Sequence, residues 1–344
     1  MQQAAEELAI AAKQNLHDGD SGQAVTNLLT LLAIAQRDWR DAFIISHLTR
    51  AGIAAKGEAT TWELLQATNV TDAQLAAVQA GWQQLNWLKD AENTYGFTRV
   101  WTAGLIENAR TSHADFTKSF GGAGSSPAST WEAVTEIPRY FTGEALWRSS
   151  WSFPQELQVL QRNQVILETL RAMQTNRTQF YKADYDRMTA RLMSVGGTNR
   201  SAPVLRSLAI PDFHEVVGQD LSRLVLRTLR SDAEGRIVVT AIALKRFQLQ
   251  HGRFPATLAE LTPAFLPAVI IDPFDGKPLK YRSNDDGTYL LYSVGEDGTD
   301  DGGDAGSPSD RPERWLWTRN RDWVWPQPAT PAEVQFYLEH PRLN

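Results

Sequence analysis

Four carboxylates crowd one short stretch of this chain. Asp297, Asp300, Asp301 and Asp304 stand within eight residues of one another, interleaved with Gly295, Gly298, Gly302 and Gly303. No lysine or arginine lies in the stretch 295–310 to balance them. Such a run repels itself unless a cation binds or water screens it. Calcium is the hard cation that suits it, since it takes about six to eight oxygens from carboxylates and carbonyls on a backbone that curls around it, and glycine supplies the curvature. An EF-hand is excluded. Counting from Asp297, the register fits Thr299, Asp301 and Gly302, but its twelfth position is Pro308 rather than glutamate. The alternative is a solvated acidic tether holding no ion, a common state of Asp/Gly-rich segments.

Other chemistry finds little footing. The histidines, His17, His47, His113, His214, His251 and His340, form no His-x-x-x-His or His-Glu-x-x-His spacing, so no zinc site is indicated. With no cysteine, disulfides, thiol catalysis and thiolate metal sites are excluded together. Gly-x-Ser-x-Gly is absent, and no catalytic serine stands out. The Gly-rich run 119–130 lacks a preceding strand and a following Gly-Lys-Ser, so it reads as a loop rather than a phosphate cradle. Paired acids such as Glu6-Glu7 and Asp285-Asp286 fit a helix face and a turn.

The elements that must position the acidic loop are mostly helical. Apolar residues Val25, Leu28, Leu29 and Leu32 recur at steps of three and four, the mark of one buried helix face. Helices are expected over 41–55, 62–67 and 72–90, with Gly57 ending the first of these. Capping-box spacings at Thr60/Glu63 and Thr71/Gln74 start the next two. Another helix follows over 95–114, a long one over 155–193, and a further long one over 212–251 with Gly218 and Gly235 as bending points. In that last helix Ile237, Ala241, Leu244, Phe247 and Leu249 are expected to share a face turned toward a small sheet. After Gly252 the pattern changes. Thr257/Glu260 caps a short helix, and two strands, 279–283 and 288–294, flank an Asp286-Gly287 hairpin turn. The aromatic stretch 315–325 is placed to add a third strand.

Three segments in order, Ala241–Leu261 (AIALKRFQLQHGRFPATLAEL), Asp272–Arg282 (DPFDGKPLKYR) and Tyr289–Asp304 (YLLYSVGEDGTDDGGD), resemble the periplasmic domain of type II secretion major pseudopilins. In that family a long helix ends at a Gly-x-aromatic-Pro turn, and an Asp-Pro stretch then leads into a small sheet and a calcium loop. The resemblance covers about 227–325. It implies calcium bound by Asp297, with the carbonyls of Val294 and Thr299, further carboxylates among Asp300, Asp301 and Asp304, and Asp322 as a closing ligand. The family's amino-terminal filament helix has no counterpart. Gly96-Phe97-Thr98 imitates its cleavage triad, but Arg99, Glu107 and Arg110 follow too soon for a membrane segment. The layout, a helical part fused to such a module, is similar to that of planctomycete-type envelope proteins.

The chain's 344 residues, 42% hydrophobic and 22% charged, suffice for about two domains. The fold class expected is α+β: an all-helical domain over 1–200 and, over 201–344, a pseudopilin-like module of long helix on short antiparallel sheet carrying the loop 295–310. The net charge of −6, with no basic stripe, argues against nucleic acid. No apolar run of membrane-spanning length occurs. The expected function is a non-catalytic, calcium-stabilised binding or scaffold protein of the periplasm or cell envelope, tethered by a segment outside this chain or not, with a protein partner there. The alternative is a hydrolase acting on envelope glycan, with its site in a groove of the helical domain. Ionisable groups converging in such a groove from several helices would favour the enzyme.

Overall fold

The structure, a computed structural model, describes residues 1–36, 43–120, 142–195, 222–285, 287–304 and 321–327. It is mostly helical, with one small antiparallel sheet near the carboxyl end. The helices are α1 (Gln2–His17), α2 (Ser21–Gln36), α3 (Ile44–Gln66), α4 (Asp72–Gln83), α5 (Trp87–Thr111) and α6 (His113–Phe120), then α7 (Ser152–Thr175), α8 (Tyr181–Val195) and α9 (Ser222–His251). A π-helical turn, Trp147–Trp151, runs directly into α7. The strands are β1 (Lys280–Ser283), β2 (Tyr289–Ser293) and β3 (Trp323–Val324), in the order β1-β2-β3. Among the described residues every strand lies after Pro267, as the residue pattern predicts.

The helix starts and stops have local causes, and some differ from expectation. Thr71 and Gln74 do form a capping box at the start of α4, as do Thr257 and Glu260 before the 3₁₀ turn Leu258–Leu261. Gly57, however, does not end a helix, because α3 runs straight through it. A Cβ at Gly57 would stand 3.1–3.4 Å from Leu31, Leu32 and Trp82, so this glycine lets α3 approach α2 and α4 closely. Thr60 and Thr61 are then mid-helix residues. Each returns its hydroxyl proton to the carbonyl four residues back, and Thr61 also accepts the Trp82 indole N–H at 3.1 Å. The helix expected over 155–193 is two helices, interrupted at Asn176–Phe180, where Gln179 has φ +55°. The candidate boundary near residue 200 and the bend near Gly218 lie outside the described residues.

The centre of the molecule is α9. From Ile237 to Leu244 all eight residues are buried, so the helix has no solvent face there, the condition of a helix enclosed on all sides. It packs against α3, α4 and α5 as well as against β2. Ile237, Ala241, Leu244 and Phe247 are buried, whereas Leu249 is 43% exposed. One continuous apolar cluster runs from Ala5 in α1 through α9 to Trp323 and Trp325. It joins residues on both sides of position 200. A smaller cluster of Ile106, Ala109, Phe116, Trp147 and Val159 sits at the far end of α5.

A buried histidine marks one of the helix junctions. His47 of α3 is 3% exposed, lies edge-on to Trp87 of α5, and meets the hydroxyl of Thr228 on α9 through Nε2 at 3.1 Å. Its Nδ1 is buried without a hydrogen-bond partner. Burial, and then the nearby Arg50 guanidinium, push its pKa down to about 4. Between about pH 4 and 6.5 the unfolded chain therefore binds a proton that the folded chain refuses, and stability rises with pH across that window. Urea denaturation should show wild type gaining about 3 kcal/mol more than His47→Gln between pH 4 and 7. Equal pH slopes for the two proteins would contradict this account.

Candidate functional site

The acidic loop hangs from the turn that opens at Asp272. Asp272, fully buried, accepts the N–H of Phe274 through Oδ1 and the N–H of Val294 through Oδ2, both at 2.9 Å. One carboxylate thus fixes both the turn before β1 and the exit of β2. Burial raises its pKa, against the N–H groups of Phe274 and Val294 and the Ser293 hydroxyl. The same turn reaches the helical part: the Pro273 carbonyl accepts N–H groups from Tyr181 and Lys182 at 2.9 and 3.0 Å, two amides that the first turn of α8 leaves without helical partners. Gly276, at φ +70°, closes the turn. The clue in the sequence was the Asp-Pro-x-Asp-Gly order itself.

Beyond β2 the chain curls tightly. Gly295 has φ +70°, and a Cβ there would lie 2.4 Å from the Arg321 carbonyl oxygen, so no other residue fits. Asp297 Oδ1 accepts the N–H of Thr299 at 2.9 Å, a local turn of its own. Asp300 Oδ1 accepts the Tyr292 hydroxyl at 2.9 Å and the Gly302 N–H at 3.0 Å. Although burial opposes its charge, these donors hold Asp300 below the usual carboxylate range. Asp304 pairs with Arg321. Asp322, fully buried, accepts the Gly303 N–H through Oδ2 at 2.7 Å, while its Oδ1 is buried with no hydrogen-bond partner. Burial first, and then the charges of Asp300 and Asp301, raise the Asp322 pKa, with the Gly303 N–H opposing.

The loop therefore brings Asp300, Asp301 and Asp322 into electrostatic contact and turns Asp297 and Asp304 to other partners. Among the described residues no three acidic or histidine side chains stand close enough to ligate one ion together. What the loop offers is a buried, donor-less carboxylate oxygen beside two further aspartates, on a backbone whose carbonyls include those of Val294 and Thr299. An orphaned oxygen of this kind, in a site already over-rich in negative charge, suits a cation.

A second polar site lies where α5, α6 and the segment 144–149 meet. A cleft of about 570 Å³ is lined by Arg110, His113, Glu144, Ala145, Arg148 and Ser149. Glu144, 5% exposed, takes His113 Nδ1 at 2.8 Å and Arg148 Nη1 at 3.1 Å. Arg148 also donates to the carbonyls of Arg110 and Thr111, the last two residues of α5, which satisfies acceptors the helix end leaves bare. Arg110 bonds Ser152 at 2.9 Å, pairs with Glu156, and stacks 3.9 Å over Phe153. A third feature is apolar. Phe43 packs edge-on to Phe97 and Trp101, and Ile45 and Val100 are exposed.

No protein family, curated protein or solved structure matches the chain. Among the described residues no helix is long and apolar enough to cross a membrane.

The Asp272 geometry carries a direct test. Asparagine keeps the size but has only one acceptor oxygen, so Asp272→Asn leaves the N–H of Phe274 or Val294 facing an amide. Stability by urea denaturation should fall by about 1–3 kcal/mol, and a neutral substitution would remove Asp272 from this role.

Proposed function

We propose that this chain is a non-catalytic scaffold or binding protein of the cell envelope or its secretion apparatus, with a calcium-stabilised, pseudopilin-like module at its carboxyl end. The observation that carries the reading is the buried, unpartnered Oδ1 of Asp322 beside Asp300 and Asp301. Asp322 with Asp300 or Asp301 would hold the ion together with the carbonyls of Val294 and Thr299, and Asp297 would join by opening its own turn with Thr299. Asp304 would join only by leaving Arg321. Bound calcium supplies positive charge to a loop whose carboxylates otherwise repel. A periplasmic or envelope location follows from the pseudopilin resemblance. The exposed Phe43 and Trp101, in ring contact, with Ile45 and Val100 also exposed, suit a protein partner there, since exposed apolar surface serves contacts.

Calcium at a hundredfold its dissociation constant should stabilise the fold by about 2.7 kcal/mol, because only the folded loop binds it. The melting temperature should rise from chelator to millimolar calcium, and magnesium should act poorly because it keeps its waters. Asp297→Ala and Asp322→Asn should each abolish the response. In chelator, Asp322→Asn should melt no lower than wild type, because it removes a buried charge and keeps an acceptor for Gly303. A wild-type melting temperature indifferent to calcium would reduce the loop to a solvated tether.

The cleft favours a second reading, a hydrolase of envelope glycan, because its ionisable groups converge from α5, α6 and the segment 144–149. Against that reading, Glu144 and Arg148 are engaged in holding the helix ends together. If the cleft is catalytic, purified protein should release reducing ends from envelope glycan, and Glu144→Gln should lower that rate at least about a hundredfold, the usual contribution of a general acid or base. Equal rates for the two proteins would leave the cleft a structural clamp.

A further inference from the structure

Helix α3 starts without a polar cap. Phe43 stands at its N-cap position and offers no side-chain hydrogen bond, so only its carbonyl takes amides there, from Ser46 at 2.9 Å and His47 at 3.2 Å. A first turn without a capping side chain is weak on its own. Its hold on the body comes from Phe43, His47 and Arg50. The Phe43 ring lies 4.7 Å and 6.0 Å, between centroids, from Phe97 and Trp101 of α5. Arg50 reaches the end of α2, with Nε 2.6 Å from the Ala35 carbonyl, and pairs with Asp90 of α5 at 2.6 Å. His47 meets Thr228 of α9. Gly52 follows Arg50 closely, and a Cβ there would find open space. Unlike Gly57 it serves no close approach, and a glycine inside a helix weakens it.

The His47 contact works for one charge state only. The Thr228 hydroxyl has a single proton, which it donates to the Leu224 carbonyl at 2.9 Å. Toward His47 Nε2, 3.1 Å away, it therefore accepts. That puts the ring proton on Nε2 and leaves Nδ1 a bare lone pair, buried and without a partner. A second proton would have to sit on Nδ1, as a buried N–H with no acceptor. It would also set a positive charge in the first turn of a helix, at the positive end of the helix dipole, one turn from Arg50 on the same helix face. Of the other elements around the ring, α5 presents the uncharged Trp87 and holds Asp90 against Arg50, and α9 presents the Thr228 hydroxyl.

We propose that the start of α3, from Phe43 to Gly52, is an acid-opened flap: protonation of His47 at Nδ1 parts it from α9 and lifts Phe43 off Phe97 and Trp101, uncovering aromatic surface on α5 while the enclosed core stays folded. A neutral imidazole keeps the flap shut, and the imidazolium is accommodated only in the opened form. The device depends neither on calcium in the loop nor on a partner for the uncovered surface.

With His47 titrating at its ordinary 6.5 in the open flap and at about 4 in the closed one, the opening constant should rise about twentyfold from pH 7 to pH 5. Hydrogen–deuterium exchange on the full chain, read by mass spectrometry and corrected for the pH dependence of the chemical step, measures that constant in the segment 43–52. This segment should exchange faster than 237–244 and keep its rate in low urea, because a local opening exposes little surface. The segment 237–244 should instead speed up with urea, as global unfolding does. His47→Gln keeps a donor for Thr228 and cannot take the second proton, so its segment 43–52 should open equally at both pH values. Gly52→Ala, for which there is room, should slow opening about two- to fivefold at both pH values and leave the ratio between them intact. Four results would each overturn the proposal: exchange of 43–52 that tracks 237–244 in urea, a wild-type opening constant that does not rise by pH 5, an equal rise in His47→Gln, or exchange in Gly52→Ala no slower than in wild type.

Discussion

The constraint on which the rest depends is that α9 has no solvent face between Ile237 and Leu244. A helix satisfies its own backbone along its length, so it can be enclosed, provided that apolar groups surround it on every side. Helices α3, α4 and α5 and strand β2 supply that enclosure. The sheet is too small to stand alone, since three short strands need a partner layer to bury their inner face. Leu291, Val294, Trp323 and Trp325 find that layer in the same cluster as α9.

The polar structure is arranged around this enclosed segment as three guanidinium contacts along α9. Arg230 bonds Glu234 and covers Trp323. Arg236 pairs with Asp232 at 2.7 Å and donates to the Ile271 carbonyl at 2.5 Å. Arg246 pairs with Asp72 at the start of α4 and bonds Gln79, which in turn donates to the Phe265 carbonyl. Each arginine keeps its stem in the apolar layer and its head at the edge. Together they tie strand, turn and helix to one axis.

Local signals in the sequence carry as far as local physics carries. The capping boxes at Thr71 and Thr257, the hairpin over 280–293 and the turn at Gly252 each depend on a few adjacent residues, and they are where the sequence places them. Gly57 misleads because a glycine that ends a helix and one that lets two helices touch look alike until the neighbours Leu31, Leu32 and Trp82 are known. The carboxylates of the loop are legible as a cluster, but their partners are not. Asp304 meets Arg321 and Asp297 closes its own turn, whereas the informative residue, Asp322, is buried by a fold that no spacing reveals. His47 and Asp272 are hidden for the same reason, since each acquires its character from elements far away in the chain.

The enclosure of α9 has a consequence for how the protein is made. Helices α1 to α5 are complete by Thr111, but the helix that fills the space among them ends its buried segment only at Leu244. At about 5–20 residues per second, a ribosome leaves that apolar groove unfilled for on the order of ten seconds. During this interval the nascent chain carries a long, greasy slot shaped for a helix. A message cut short before that point yields adhesive fragments rather than a smaller working protein, and the late helix acts as the closing stitch of biosynthesis.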